Sequence, residues 1–582
     1  MIFYDYEVFR YDWIVVFMDT NSRKETVLHN DPEAQEKFYR KHRRDIWVGF
    51  NSRHYDQYIL KAILCRFDPK EVNDYIIVKG EPGWKYAPTL FRRFPLNNYD
   101  VMANLDRGLK FFEGSMGSDI RETQVPFDID RPLTEEELEQ TIFYCRHDVQ
   151  QTMAVFMQRK SDFEAHMGLV KIACQGKALD LTLLNKTKAQ LSAIILNATR
   201  KEYNDEFDID FPSTMRISKY NAVVRWYENP HNRCYVRVEN GKKKKVQLEI
   251  NIAGVPHDFG WGGVHGAIPH YHGKGYFINM DVTSLYPSLM ILYHLLSRSM
   301  SDPSKFMEIY NQRIEYKRAG NALQLPLKLV LNSTYGVMKD ANNALYDPLQ
   351  ANRVCVYGQL LILDLIERLE PYAKIIQSNT DGVLVKMPEG QDEESWYSLI
   401  DDIAFEWEQR TGLKLEFDEY REIYQKDVNN YVIVDASGKY KSKGGYVKKL
   451  NSLDYGDFPV INKALVEYMV RGVPLERTIR ECDSLIDFQL VSKISSKYTH
   501  ILHGERPIKE QCIRVFASRR ASDPGIQKVH AKSGKPAKIA NSPEHCFIYN
   551  DNINGVAVPS KLDKEWYIDL ARKRLAGFGV ME

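Results

Sequence analysis

Over the first 160 or so residues, short dense apolar runs alternate with segments whose apolar residues recur at three and four. "IFYDYEVF", "WIVVFMD" and "DIWVGF" are of the first kind and predict strands. "DPEAQEKFYRKH", "YDQYILKAILCRF" and "TEEELEQTIFYCRHDVQQTMAVFMQRK" are of the second kind and predict helices. Such alternation predicts an α/β domain. Residues 176–205 read as helical and connecting, and 206–275 as richer in β and turn signals. Within the latter, "CYVRVENGKKKKVQLEI" predicts a hairpin closed by Asn240-Gly241, with Lys242 to Lys245 as its solvated tip. From 276 to 440, strands flank two helical segments. The rest mixes helices with a basic Gly/Pro/Ser-rich loop, "RRASDPGIQKVHAKSGKPAK". No internal repeat or low-complexity tract interrupts the chain.

Several carboxylates fall where solvent exposure does not explain them. "IIQSNTDGVLVK" (375–386) reads as two apolar strands joined by a polar turn with one acid, Asp381, at its tip. On its own that is a solvated turn aspartate. "YFINMDVTSLYPSLM" predicts a buried strand over Tyr276 to Met280 that ends on Asp281 and turns into a helix. An acid at the end of a buried strand is costly unless paired or bound to metal. Asp5 and Glu7 are two apart on a strand, so they project from one face and repel unless a cation separates them. "GFNSRHYDQYIL" places Asp56 after Asn51 and Tyr55, and "FYCRHDVQQT" places Asp148 one helical turn after Tyr144. Lys328, Asn332 and Tyr335 fall at i, i+4 and i+7 on one helix face, and Arg313 and Lys317 share a face in the same way.

Composition narrows the setting. At 582 residues the chain is too long for one core and predicts roughly three to five domains or subdomains. Its 44% apolar and 27% charged residues suit a globular protein, and a net charge of +1 means that any nucleic-acid affinity must come from local basic surfaces. Eight cysteines form no CxxC pair or His/Cys cluster, which argues against a zinc site or a disulfide framework. No apolar stretch reaches about 18 residues, so neither export nor membrane insertion is indicated and a reducing cytoplasm, that of the host cell for a viral protein, is expected.

Asp-x-x-Ser-Leu-Tyr-Pro-Ser from Asp281, Lys-x-x-x-Asn-Ser-x-Tyr-Gly from Lys328 and the Thr380-Asp381 hairpin, in this order, resemble the polymerase motifs of the family B DNA polymerases. The acids at Asp5 and Glu7, Asp56 and Asp148 resemble the three exonuclease motifs of that family's proofreading domain, again in order. The resemblance spans about residues 1 to 450, and the remainder is assigned by position. It implies an α/β and α+β multidomain fold, with an RNase H-like exonuclease domain (1–165) followed by a right-hand polymerase. Connecting helices and a pre-palm β region would occupy 166–270, the palm 271–300 and 341–445, the fingers 301–340 and the thumb 446–582. The motif at residue 5 leaves no room for an extra N-terminal domain, so the chain looks most like a compact, monomeric bacteriophage enzyme.

What the resemblance implies for chemistry is specific. Asp281 and Asp381, with Val282, would hold two Mg²⁺ ions about 4 Å apart, Mn²⁺ being the alternative. Val282, Ser284, Leu285 and Tyr286 would line the nucleotide, with Tyr286 excluding a 2′-hydroxyl. Arg313, Lys317 and Lys328 would bind its phosphates, and Asn332 and Tyr335 would complete that face. Asp5, Glu7, Asp56 and Asp148 would hold the exonuclease metals, with Tyr144 orienting the attacking water, while Phe50, Asn51 and Tyr55 hold the frayed primer end. Gly262 and Gly263 would contact template, and Lys426, Tyr431 and Lys443 the primer strand. Substrates would be primer-template DNA and dNTPs, and a helicase, clamp or single-strand binding protein are candidate partners. The hairpin reads Asn379-Thr380-Asp381-Gly382 where the family reads Asp-Thr-Asp-Ser. The short spacings from Asp281 to Lys328 and from Gly336 to Asp381 leave no room for the insertions of protein-primed relatives, so no built-in strand displacement is expected. Two other readings stand beside this one: an exonuclease whose polymerase half has decayed, and a non-catalytic DNA-binding factor.

Overall fold

Strand alternation at the N-terminus decides which residues become core and which become site. In the computed structural model, which describes residues 1–390 and 392–580, Ile2–Val8 (β1) pairs antiparallel with Trp13–Asp19 (β2) along its whole length. Tyr4 and Tyr6 point to one face, into a core with Phe17, Trp47, Ile59 and Leu60. Asp5 and Glu7 alternate with them and so point to the other.

The chain divides into two compact units. The first comprises Met1–Thr187, Leu450–Val460 and Arg480–Tyr567; the second comprises Lys188–Lys449, Ile461–Ile479 and Ile568–Glu582. Residues 446–582 are thus shared between the units. The first unit carries a five-stranded sheet in the order β3-β2-β1-β4-β5, where β3 is Lys24–His29, β4 Trp47–Gly49 and β5 Asn98–Asp100. Helices α1 (Pro32–His42) and α2 (Asp56–Leu64) cover the tyrosine face. A short helix, α3 (Leu109–Ser115), and a long one, α4 (Glu135–Gln158), serve the acid face. A capping box between Thr134 and Glu137 starts α4, and its buried residues Thr141, Cys145, Asp148, Thr152 and Val155 recur at three and four, as predicted.

Later segments complete this unit. Arg514, fully buried, donates from both guanidinium ends to the carbonyls of Gly114, Ser118, Tyr549 and Asp551, and Gln489 donates to the carbonyls of Ser115 and Tyr455. Burial lowers the Arg514 guanidinium to about 10, still charged at neutral pH. The basic stretch 519–538, predicted as a loop, instead holds two paired strands, Ile526–His530 and Pro536–Lys538, in a four-stranded sheet. Its Gly, Ser and Pro residues mark turns between strands, and "IQKVH" is too short a run to stand out by pattern.

The second unit is built on a nine-stranded sheet. Its strands are β6 (Gln247–Ile252), β7 (Val255–Gly260), β8 (His265–Ala267), β9 (Tyr271–Val282), β10 (Lys374–Ser378), β11 (Gly382–Lys386), β12 (Leu415–Asp427), β13 (Asn430–Val434) and β14 (Tyr440–Lys443), in the order β14-β13-β12-β9-β11-β10-β8-β7-β6. Among the described residues between 276 and 440 there are five helices, not two: α5 (Leu285–Leu292), α6 (Ser304–Arg318), α7 (Gln324–Val337), α8 (Pro348–Leu369) and α9 (Glu393–Thr411). The undercount has a cause: α8 is buried almost all round, so it shows no polar face from which to read a period. Trp407 on α9 is fully buried and donates to the Leu361 carbonyl of α8 at 3.0 Å. The predicted hairpin at Asn240-Gly241 forms, with both residues at positive φ (50° and 72°), but Lys242 to Lys245, exposed as expected, make up its second strand and not its tip. Among the described residues no helix is long and apolar enough to cross a membrane, and all eight cysteines are free.

Replacing Arg514 removes one side chain and strands four carbonyls. Arg514→Met is expected to destabilise the first unit by about 3–5 kcal/mol, read as a shift of its urea midpoint; a loss below about 1 kcal/mol would show that water already satisfies those carbonyls.

Candidate functional site: two carboxylate clusters

In the second unit Asp281 sits near the end of a strand and Asp381 in the turn that leads into the neighbouring one. Asp281, one residue from the end of β9, lies opposite Gly382 of β11, and the Val282 amide donates to the Asp381 carbonyl at 2.7 Å. Asn279 donates to Asp281 Oδ2 at 2.8 Å. Burial and then the Asp381 charge push the Asp281 carboxyl up to about 6. Asp381 stands at the exposed hairpin tip, yet partial desolvation of its carboxyl raises it above the usual range while Lys443 works against the rise. Lys441 pairs with Asp418 at 2.7 Å and adds a second positive field on Asp281.

The hairpin residues that depart from Asp-Thr-Asp-Ser have structural work. Asn379 Oδ1 accepts from the Asp381 amide at 3.1 Å, and the Asn379 amide donates to the Gly382 carbonyl at 3.0 Å, so Asn379 holds the turn. A Cβ at Gly382 would fall 2.0 Å from Asp281 Oδ1. The carboxylate therefore occupies space that only glycine leaves.

Basic side chains gather beside this pair. Ser284, at φ 51°, turns the chain from β9 into α5 and accepts from Arg313 Nη1 at 3.0 Å. With Thr283, Lys317, Arg318 and Lys414 they line a cavity of about 540 Å³, and Arg313 Nε, buried there, has no partner among the described residues. Lys317 lies 3.9 Å from Glu416. On α7, Lys328 and Asn332 are exposed on the face that Tyr335 shares, and the Tyr335 ring meets that of Tyr286 at 4.0 Å. Val282 and Leu285 are buried.

The remaining predicted contacts divide. Gly263 packs so close to Thr380 that a Cβ there would lie 2.5 Å from its hydroxyl, whereas Gly262 faces open space. Trp261 is a core residue that donates to the Asn232 carbonyl at 2.8 Å. Tyr431 on β13 faces Lys443 on β14 and lies in the field of Asp281 and Asp381. Lys426 turns elsewhere, with Nζ 5.2 Å from the Tyr446 ring.

The first unit brings Asp5, Glu7 and Asp148 together, one carboxylate oxygen from each within 4.8 Å of the others. Asp56 lies beside them at the start of α2 and has committed Oδ1 to the Tyr6 amide at 3.1 Å. Burial raises Asp5 and Glu7 well above the carboxylate range, with the neighbouring acids adding to it, and takes Asp56 to about 7. Sequence reasoning missed the cation that enters this cluster. Lys110 of α3 pairs with Asp148 and, at 3.0 Å, with Glu113, and its Nζ lies 4.4 Å from the centre of the Tyr144 ring. Burial works against the ammonium, but Asp148 and Glu113 outweigh it and hold its pKa above the usual value. Asp100 was also missed. It accepts from the amides of Asn51, Arg53 and Met102 at 2.9, 3.2 and 2.9 Å and so shapes the loop bearing Asn51, itself at φ 62°. Phe50 lies 6.3 Å from Phe112, and the Tyr55 hydroxyl is spent on Asn73 at 2.8 Å.

Both sites fit a hard divalent cation. Their donors are carboxylate oxygens, and burial raises the carboxyls of Asp5, Glu7, Asp56, Asp281 and Asp381, a cost of ionisation that a cation would remove.

No family model matches the chain. Over 210 residues it is 26% identical to DNA polymerase 1 of Sulfurisphaera ohwakuensis, covering 35% of this chain and 22% of that protein, so the match spans about a fifth of the relative's length. Among solved structures, the family B DNA polymerase of the archaeon Pyrobaculum calidifontis aligns over 100% of this chain and 78% of its own at a TM-score of 0.40 and 14% identity, too loosely to carry an argument.

The raised Asp281 carboxyl sets a pH dependence with a definite sign. A carboxyl whose folded pKa exceeds its unfolded value destabilises the fold once ionised, so the cost is absent below about pH 4 and complete above about pH 6. In EDTA, Asp281→Asn is expected to stabilise the second unit by about 2–3 kcal/mol at pH 8 and by nothing at pH 4, and Mg²⁺ to narrow the gap by stabilising the wild type. Urea denaturation at the two pH values checks this; equal midpoints at pH 8 would mean that the two charges do not strain the fold.

Proposed function

We propose that the chain is a DNA-templated DNA polymerase of family B with a 3′–5′ proofreading exonuclease, of compact bacteriophage type, replicative and not protein-primed, acting as a monomer. The observation that carries the reading is Asp281 near the end of its strand held against the Asp381 turn, with a cavity lined by Arg313 and Lys317 opening at Thr283 and Ser284, just after Asp281. Residues 271–300 and 341–445 would be palm, 301–340 fingers and 446–582 thumb, with the exonuclease in 1–165.

Divalent cations, Mg²⁺ or Mn²⁺, supply Lewis-acid activation and charge neutralisation when bound at the two carboxylate clusters. Asp281 and Asp381 would hold them in the polymerase site. Arg313, Lys317 and Lys328 present guanidinium and ammonium groups to a triphosphate, where charge-assisted hydrogen bonds are strongest. The packed Tyr286 and Tyr335 rings form a floor for the nascent base pair, and Tyr286 excludes a 2′-hydroxyl. Gly262 would approach template and Gly263 sits against the metal hairpin. Lys443, with Tyr431, would contact primer, whereas Lys426 is turned toward Tyr446. In the exonuclease site Asp5, Glu7 and Asp148 form the cluster and Asp56 completes it. Lys110 tempers the charge and steadies Tyr144, which orients the attacking water. Phe50 and Asn51 hold the frayed end, and Tyr55 offers its ring because its hydroxyl is engaged. A helicase, clamp or single-strand binding protein remain candidate partners.

The decayed-polymerase alternative rests on Asn379. Its two hydrogen bonds within the turn give that residue a role other than lost catalysis, and favour an active site.

Primer extension with Mg²⁺ and dNTPs tests the proposal. Asp281→Ala and Asp381→Ala are each expected to cost about a thousandfold in extension, about 4 kcal/mol, and to leave primer shortening intact, while Asp5→Ala does the reverse. Shortening without extension by the wild type would select the nuclease alternative, and neither reaction the DNA-binding one. Copying through a nicked duplex without helper proteins would contradict the absence of strand displacement.

A further inference from the structure

A second basic site lies on the opposite face of the first unit's sheet from the acids. Tyr4 and Tyr6 face α1, and Asp5 and Glu7, one residue out of phase, face away from it. At the C-terminal end of α1 a groove of about 720 Å³ opens, lined by Arg40, Arg43, Arg44 and, from the segment before β5, Arg93 and Phe94. Its acids are both engaged: Glu36 pairs with Arg40 at 2.6 Å, and Asp180 accepts from the Thr182 amide and hydroxyl at 3.0 and 2.6 Å. Arg43, Arg44 and Arg93 are exposed and make no ion pair among the described residues. Tyr39 forms part of the lining, its hydroxyl fixed to the Pro95 carbonyl at 2.7 Å, and the Phe94 ring is half-buried beside it.

Three guanidinium groups without an ion pair among the described residues thus surround an aromatic-lined groove. Basic residues at a helix C-terminus are favoured by the helix dipole, which accounts for Arg40 and its neighbours as a helix ending. It does not account for Arg93, which comes from another segment and converges on the same groove. Arginine forks match phosphate oxygens in pairs, and aromatic rings accept bases without regard to sequence. The volume falls within the range of about 300–1,000 Å³ that encloses a small organic ligand, so a nucleotide-sized segment fits.

We propose that this groove binds the phosphate backbone of a single nucleic-acid strand through Arg43, Arg44 and Arg93, at a site separate from both carboxylate clusters. The choice of nucleic acid over an acidic peptide rests on the function proposed above, since the substrate of that function is itself a long polyanion.

The test uses the full chain in EDTA, so that neither carboxylate cluster acts, and follows the anisotropy of a fluorescein-labelled oligo-dT across a salt series. R43E/R44E/R93E is expected to bind about tenfold or more weakly at low salt and to flatten the slope of log K against log salt by about 2, near 0.7 for each phosphate left without its arginine. R43Q/R44Q/R93Q should flatten the slope likewise and guards against misfolding of the charge reversal. R23E/K24E/K79E, which changes three exposed positions of the same unit by the same total charge, should leave the slope unchanged. Equal losses of affinity in the groove and control variants, or an unaltered slope in both groove variants, would overturn the assignment. So would a labelled Asp/Glu/Phe peptide that loses binding in the groove variants while oligo-dT does not. Primer extension and shortening by the wild type are scored separately. Groove-dependent binding by a protein that does neither reaction overturns the proposed function alone, and normal extension with an unaltered slope overturns the groove alone.

Discussion

Acids that backbone pairing sets beside one another, where burial disfavours their charge, are the constraint on which both candidate sites depend. Asp281 and Asp381 are brought together by the pairing of β9 with β11 and the Val282 bond to Asp381, and Asp5 and Glu7 by alternation along β1; in both cases the sheet fixes the backbone from which the side chains project. Hydrogen bonds of the ladder thus hold an electrostatic strain in place. Burial raises all four carboxyls, neighbouring acids add to it at Asp5, Glu7 and Asp281, and each cluster is thereby a receptor for positive charge.

The two clusters handle that strain differently. In the first unit a lysine on a separate helix enters the acids directly, and Glu113 balances it, so part of the neutralising charge is built in. In the second unit the cations stay at a distance: Lys441 is paired with Asp418, Lys443 reaches Asp381 only through its field, and Arg313 is turned to Ser284. A site that leaves its acids unneutralised keeps room for a charged substrate and its counter-ions, whereas one that already contains an ammonium needs less from outside. In the proposed reading these correspond to binding a triphosphate and to cutting a single phosphodiester.

How much of this was legible in the sequence depended on whether a feature was local. The period of two in "FYDYEVF", the polar turn in "IIQSNTDGVLVK" and the i, i+4, i+7 spacing of Lys328, Asn332 and Tyr335 are properties of a few neighbouring residues, and each is present in the structure. Lys110 was not legible because nothing in "GLKFFEG" marks it; its meaning comes from Asp148, reached only when α3 docks beside α4. Helix α8 was hidden by its own burial, and the shared membership of 450–460 and 480–567 in the first unit leaves no trace in composition, since it rests on contacts such as those of Arg514 and Gln489 with residues far earlier in the chain.

The hairpin at 379–382 departs from the family motif at two positions, and each departure has a structural part in the turn. Replacing an acid by Asn379 removes one negative charge from a tip that already carries a strained pair, and keeps the oxygen that accepts the Asp381 amide, so the turn closes as before. Glycine at 382 then frees the space beneath Asp281, into which its carboxylate settles, 2.0 Å from where a Cβ would stand. The first change lowers repulsion and the second fixes where the remaining charge sits. Both act on the Asp281–Asp381 pair and neither removes a carboxylate from it. A decaying site would be expected to lose its acids or let them drift to solvent. Here the pairing of Asp281 with Gly382, the Val282 bond to Asp381 and the Asn279 contact all keep the two together.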